Sequence, residues 1–345
     1  MSNQPSSRRD AISPAKRRPS KWWLALIIAP VLVVAVIAGA LLYLQAAVSG
    51  GLDSSEVIEE SFPLEEGRPA PGPEGTVTFL LLGSDSREGI SEEFGQVAGQ
   101  RSDAIIVARI NAERDHIALM SIMRDTWVEI PGYGENKINA AFSFGGVKLA
   151  VETVEQLLET RIDHVAVVDF EGFRSLTDAL GGVTVNNAKG FSPSELSGEF
   201  FPAGEIRLNG DQSLAFVRER MAFSDGDFQR VRNQQAFLRG LAKGLLEDVS
   251  LANPGQVLDI VGAIAPHLQR DPGLTSDVIT GLAGSLAGLT PSSLQSFTIP
   301  TTGTGTIRGQ SVVVLDQAEL DVVKGHFNDD SLREYLLGVS GGEGP

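Results

Sequence analysis

Apolar residues along the chain fall into short blocks with two kinds of spacing. From Val77 onward some blocks are brief continuous runs, such as Phe79-Leu80-Leu81-Leu82 and Ile105-Ile106-Val107, bounded by Gly, Asp and Arg. Runs of that kind are the pattern of strands buried on both faces of a sheet. They predict strands over 77–82, 104–110, 116–122, 164–168, 183–186, 294–299 and 311–315. Elsewhere apolar residues return every three or four positions, which predicts helices over 136–144, 146–159, 171–180, 209–217, 227–247, 254–266, 274–288 and 317–327. Strand and helix alternate without an internal repeat. The fold class expected is therefore α/β, a three-layer αβα sandwich with a mixed central β-sheet, forming one domain over 76–335 with a flexible tail over 336–345.

A different pattern precedes this domain. Trp22–Leu44 holds 23 residues without a charge, roughly 35 Å as a helix and enough to cross a bilayer, with Trp22, Trp23 and Tyr43 at its ends. Residues 1–21 are basic, so the positive-inside rule sets the N-terminus in the cytoplasm and the domain outside the cell membrane. A cleaved signal peptide ending near Ala47-Val48-Ser49 is the alternative, but the apolar run exceeds a usual signal core, which favours a retained single-pass anchor. Residues 45–75, acidic and with GRPAPGPEG, read as a spacer.

Composition narrows the chemistry. The net charge of −16 argues against a nucleic-acid surface, all the more because residues 1–21 carry six of the basic side chains. The absence of Cys excludes disulfides, thiolate zinc sites and thiol nucleophiles, and the four His residues have no metal-ligand spacing. Neither a Walker pattern nor a nucleophile elbow is present.

Against that acidic background, charged pairs recur where predicted strands stop: Asp85 and Arg87, Arg101 and Asp103, Arg124 and Asp125. Side chains at strand ends gather at one edge of a sheet, where ligands of open α/β sheets bind. Asp85 and Asp103 at neighbouring strand ends suit a magnesium ion that completes its shell with water and phosphate; singly, Asp85 also reads as a turn residue and Asp103 as a partner of Arg101. Arg87, Arg101, Arg124, Arg218, Arg220 and Arg230 are candidate phosphate-binding forks, and each also has an acid nearby in sequence. Lys137 and Asn139 fall at a predicted helix start, where backbone N–H groups favour an anion or a cap. On the helix over 227–247, Asp227, Arg230 and Gln234 share the apolar stripe of Val231, Leu238 and Leu241. Charges there need a partner or a ligand.

At these residues the chain resembles the LytR-CpsA-Psr family of cell-envelope proteins, through LLLGSDSR, RSDAIIVARI, SIMRDTWVEIPGYGENKINAAFSFGG, VVDFEGFRSLTDALGGV, LNGDQSLAFVRER and DFQRVRNQQAFL in that order. Met123 departs from the pattern, which usually has Pro there. The resemblance implies a phosphotransferase that moves a glycopolymer, such as teichoic acid or arabinogalactan, from a polyprenyl-pyrophosphate carrier to a peptidoglycan hydroxyl on muramic acid. It implies Mg2+ at Asp85 and Asp103, and phosphates held by Arg87, Arg101, Arg124, Arg218, Arg220 and Arg230, with Asp227 and Gln234 in the same site. Asp125 or Asp103 is the candidate to take the acceptor's proton. A non-catalytic lipid-pyrophosphate-binding scaffold and a pyrophosphatase are the competing readings.

Overall fold

The computed structural model describes residues 48–84, 102–247 and 254–341. Its strands are β1 (Glu56–Val57), β2 (Val77–Ser84), β3 (Ser102–Ile110), β4 (Ile117–Ile122), β5 (Trp127–Ile130), β6 (Gly134–Lys137), β7 (His164–Asp169), β8 (Val183–Asn187), β9 (Gly204–Leu208), β10 (Leu268–Arg270), β11 (Leu294–Thr298), β12 (Thr301–Ile307) and β13 (Gln310–Leu315). Its helices are α1 (Asn139–Leu158), α2 (Phe170–Ala179), α3 (Gly210–Arg218), α4 (Asp227–Glu247), α5 (Pro254–Ile264), α6 (Ser276–Ser285), α7 (Gln317–Asn328) and α8 (Leu332–Gly341).

The central sheet is mixed, in the order β1-β10-β7-β2-β3-β4-β11. Leu80 of β2 faces Val107 of β3 and Val165 of β7, and Val107 faces Met120 of β4. That row of four fully buried side chains lies on the face covered by α1, α7 and α8. The residues between them, Phe79, Leu81, Ile106, Ala108 and Leu119, point to the other face, where Leu238 of α4 packs on them. The period-2 alternation of a strand is what divides the two cores. A third core, rich in Phe, joins the β8–β9 hairpin to α3 and α4.

β2 runs parallel to β7, β4 runs parallel to β11, and β3 is antiparallel to both β2 and β4. The carboxyl ends of β2, β4, β7 and β11 and the amino end of β3 therefore share one edge of the sheet. At that edge Asp169 caps α2, accepting from the Gly172 N–H at 2.7 Å.

The structure extends the domain at both ends relative to the sequence reading. Residues 45–75, read as a spacer, include β1, which pairs with β10, and Arg68, whose guanidinium donates to the buried Glu155 at 2.7 Å. The domain also continues past residue 335: Leu332 and Leu336 of α8 are buried in the core under α7. The two helices predicted over 136–144 and 146–159 are both present as the two parts of α1, divided by non-helical backbone at Gly145 and Gly146, with the first starting at Asn139 because Asn136 and Lys137 belong to β6. Among the described residues no helix is long and apolar enough to cross a membrane; Trp22–Leu44 lies outside them.

Candidate functional site

β4 ends at Ile122, and the chain turns at once, the Thr126 N–H donating to the Met123 carbonyl at 3.0 Å. Arg124 and Asp125 sit on this turn. Its backbone is held from two further sides: the Asn139 N–H at the start of α1 donates to the Arg124 carbonyl at 3.2 Å, and the Val313 N–H of β13 donates to the Asp125 carbonyl at 2.9 Å. Met123, only 3% exposed, packs against Val231, Val313 and Phe228. An apolar side chain there anchors the turn to α4 and β13.

The turn presents its charges to the first residues of α4. Arg124 Nε lies 3.7 Å from an Asp125 carboxylate oxygen and 3.9 Å from one of Asp227. Lys137, the last residue of β6, reaches Asp125 at 3.0 Å, and Arg230, 6% exposed, reaches Asp227 at 3.4 Å. Burial raises the Asp125 carboxyl, but a hydrogen bond from Asp227 and the charges of Lys137 and Arg124 outweigh it, holding Asp125 below its ordinary value. Burial pushes Asp227 up, Arg230 opposes this, and the neighbouring Asp125 adds to it. Three cations thus surround two carboxyls that share a hydrogen bond, and the group favours an incoming anion.

These residues border an open cavity of about 1190 Å³, lined by Arg124, Asp125, Lys137, Arg220 and Asp227 among others. The first turn of α1 faces it through Asn139, Ala140 and Ser143, and no side chain caps that helix start. The Asn139 and Ala141 N–H groups of that start are taken by the Arg124 and Ile138 carbonyls, so what the helix adds for an anion is the positive end of its dipole. Arg220 is exposed, and its side chain forms no ion pair among the described residues.

Of the residues singled out in the sequence, the structure brings Arg124, Asp125, Lys137, Asp227 and Arg230 into one cluster, with Arg220 on the same cavity. Gln234, one turn along α4, instead donates to the Val217 carbonyl at 3.5 Å and ties α4 to the end of α3. Arg218 stands apart: its guanidinium donates to Glu195 at 2.8 Å, lies 4.5 Å from the centre of the Phe170 ring, and borders a separate cavity of about 370 Å³. α3 ends at Arg218 and Glu219 is extended, so the two arginines diverge around the buried Glu219. Asp85, Arg87 and Arg101 lie outside the described residues, as does the side chain of Asp103. The cavity also takes Phe144 from α1 and Thr304, Gln310 and Ser311 from the β12–β13 hairpin. The sequence reading passed over those residues; the alternation of Thr302, Thr304 and Thr306 was the signal available for the hairpin.

The chain resembles known proteins in sequence and in fold. Residues 51–329 match the LytR_cpsA_psr family. The polyisoprenyl-teichoic acid–peptidoglycan teichoic acid transferase TagU of Oceanobacillus iheyensis is 35% identical over 292 residues, 82% of this chain and 86% of that protein. TagU of Halalkalibacterium halodurans is 39% identical over 197 residues, 56% of this chain; the match spans 62% of that relative's length. Among solved structures, B. subtilis TagV has a TM-score of 0.63 at 26% identity, with 75% of this chain and 98% of that one covered. TagT bound to LI-WTA has a TM-score of 0.57 at 26% identity, with 74% and 91% covered. With its central mixed sheet and this extent of match, the chain belongs to the LytR-CpsA-Psr family.

Proposed function

We propose that the protein transfers a glycopolymer from a polyprenyl-pyrophosphate carrier to a peptidoglycan hydroxyl, leaving the two joined by a phosphodiester. The observation that carries this reading is the gathering of Arg124, Lys137 and Arg220 on one large open cavity of an otherwise acidic chain, with the buried Arg230 paired to Asp227 behind them. Relatives named as teichoic acid transferases, and a structural neighbour bound to LI-WTA, support a glycopolymer donor.

In this mechanism the diphosphate lies against the guanidinium groups, which offer planar donor pairs to its oxygens. The acceptor oxygen attacks the phosphorus carrying the glycopolymer. The bond from that phosphorus to the bridging oxygen breaks, and polyprenyl monophosphate leaves with the electron pair. The acceptor's proton passes to a carboxylate, for which Asp125 is the candidate within the described cluster and Asp103 the other. Charge grows on the leaving phosphate, so fixed cations lower the barrier, and no covalent enzyme intermediate is needed.

A magnesium ion fits the same reading. Ser84 and Ser102 are paired between β2 and β3, and in the sequence each directly precedes an aspartate, Asp85 or Asp103. Those two residues would hold the ion, which would neutralise diphosphate charge. Trp22–Leu44 is proposed as the single-pass anchor that keeps the domain at the outer side of the cell membrane, where a lipid-linked donor is presented.

The test is transfer by the full-length protein in a reconstituted system. Arg124→Ala is expected to lower turnover roughly 10³-fold or more with folding intact; unchanged transfer would overturn the proposal. Release of free polymer phosphate with none attached to peptidoglycan would replace it with a pyrophosphatase.

A further inference from the structure

One wall of the cavity carries an aromatic feature that the phosphate chemistry does not use. Tyr133, in the turn between β5 and β6, stacks on Phe144 of α1 with ring centres 4.9 Å apart and planes 21° from parallel. Tyr133 is 56% exposed and Phe144 43%. The pair is held in place: the Tyr133 N–H donates to the Ile130 carbonyl at 2.9 Å, its hydroxyl reaches the Phe144 carbonyl at 3.4 Å, and Gly132 and Gly134 on either side have positive φ. Two large rings left open to solvent in a fixed stack are costly unless something covers them.

We propose that Tyr133 and Phe144 form the platform on which a sugar ring of the peptidoglycan glycan strand stacks, and so constitute the acceptor subsite. This rests on the transfer reading above and names its acceptor side.

Three observations select this occupant. Phe144 lines the cavity itself, so a ring resting on the pair lies at the entrance to the cation cluster. The side chains around that entrance include Asn136, Asn139, Ser143 and Gln310, uncharged donors and acceptors that suit the hydroxyl and acetamido groups of a sugar. The third observation separates acceptor from donor. The β5–β6 hairpin that carries Tyr133 also carries Lys137, which holds Asp125, the proposed proton acceptor, at 3.0 Å. Arg220 and Arg230 belong to the α3–α4 side. The platform and the residue that holds the proposed proton acceptor thus belong to one hairpin. The apolar C–H face of a pyranose matches the negative face of an aromatic ring, as bases and cations do in other sites.

The experiment varies a soluble glycan oligomer of peptidoglycan as acceptor for the full-length protein at saturating donor, comparing wild type with Tyr133→Ala, Phe144→Ala and Tyr133→Phe. Tyr133→Ala is expected to raise the acceptor KM about tenfold, with kcat and donor KM unchanged, and Tyr133→Phe to stay near wild type. An unchanged acceptor KM in Tyr133→Ala overturns the inference. So does a rise in donor KM instead, which would give the platform to the donor's sugar, or a selective loss of binding to anionic phospholipid vesicles, which would give it to the membrane. A binding titration of the same oligomer without donor keeps the two readings apart. Wild-type binding that Tyr133→Ala loses supports the platform even where no transfer occurs, and transfer that survives Tyr133→Ala at the same KM sinks the platform alone.

Discussion

Asp125 lies between Lys137, 3.0 Å away, and Arg124. Burial alone would make its carboxyl a weaker acid, and a hydrogen bond from Asp227 with the two cations reverses this. Because its folded pKa is depressed, Asp125 contributes stability that is present above its unfolded pKa and is lost as pH falls through the folded value. Lys137→Met is expected to raise the Asp125 pKa, moving both this stability loss and the acid limb of the pH–rate profile to higher pH; carboxyl NMR titration and activity profiles would check the two together. Asp125, Arg124, Asp227 and Arg230 were legible in the sequence because each is a charge at the border of an apolar run or on an apolar stripe, where a charge needs a partner; Lys137 was read as a helix-start residue, but the helix begins at Asn139 and Lys137 ends β6. Arg218 carried the same mark but is answered by Glu195 and Phe170. No local pattern announces a neighbour supplied by a distant segment.

Elements with a strong period were readable. β2, β3, β4 and α4 fall where the spacing puts them, because burial on defined faces leaves a clear periodicity. β1, β5, β6, β9, β10 and β12 were missed: β1, β5, β6 and β10 have four residues or fewer, β9 has only Ile206 and Leu208 as apolar positions, and β12 is built mainly from Thr and Gly, so none carries an apolar run long enough to read. The break in α1 was visible as paired glycines. Gly146 has φ 62° and ψ −153°, a backbone region essentially confined to glycine. Gly146→Ala is expected to cost about 1–3 kcal/mol of stability, measured by denaturant unfolding. The docked segment before β2 makes a sharper claim. Arg68 and Glu155 are both almost fully buried and joined at 2.7 Å, so Arg68→Ala leaves a buried carboxylate without its partner. The expected loss is about 3–5 kcal/mol; a loss under about 1 kcal/mol would mean that residues 45–75 behave as the free spacer their composition suggested.

For the whole molecule, the order of strands matters more than any one of them. Parallel pairs β2–β7 and β4–β11, with β3 running opposite, bring the ends of segments distant in sequence to one edge, and α1 and α4 add their first turns there. Sequence periodicity indicated a sheet with helices but could not order its strands, since pairing partners lie far apart in the chain: about 180 residues for β4 and β11, and more than 200 for β1 and β10. The charged group at that edge rests on long-range topology, and the central claim is that it grips a diphosphate. Calorimetric titration with a short-chain polyprenyl pyrophosphate, comparing wild type with an Arg124→Ala/Arg230→Ala double variant, tests this most directly. The account requires affinity to fall at least about 100-fold, near 2.7 kcal/mol, with the weaker preference for pyrophosphate over monophosphate that loss of two forks entails. Equal affinity in a folded double variant would contradict it.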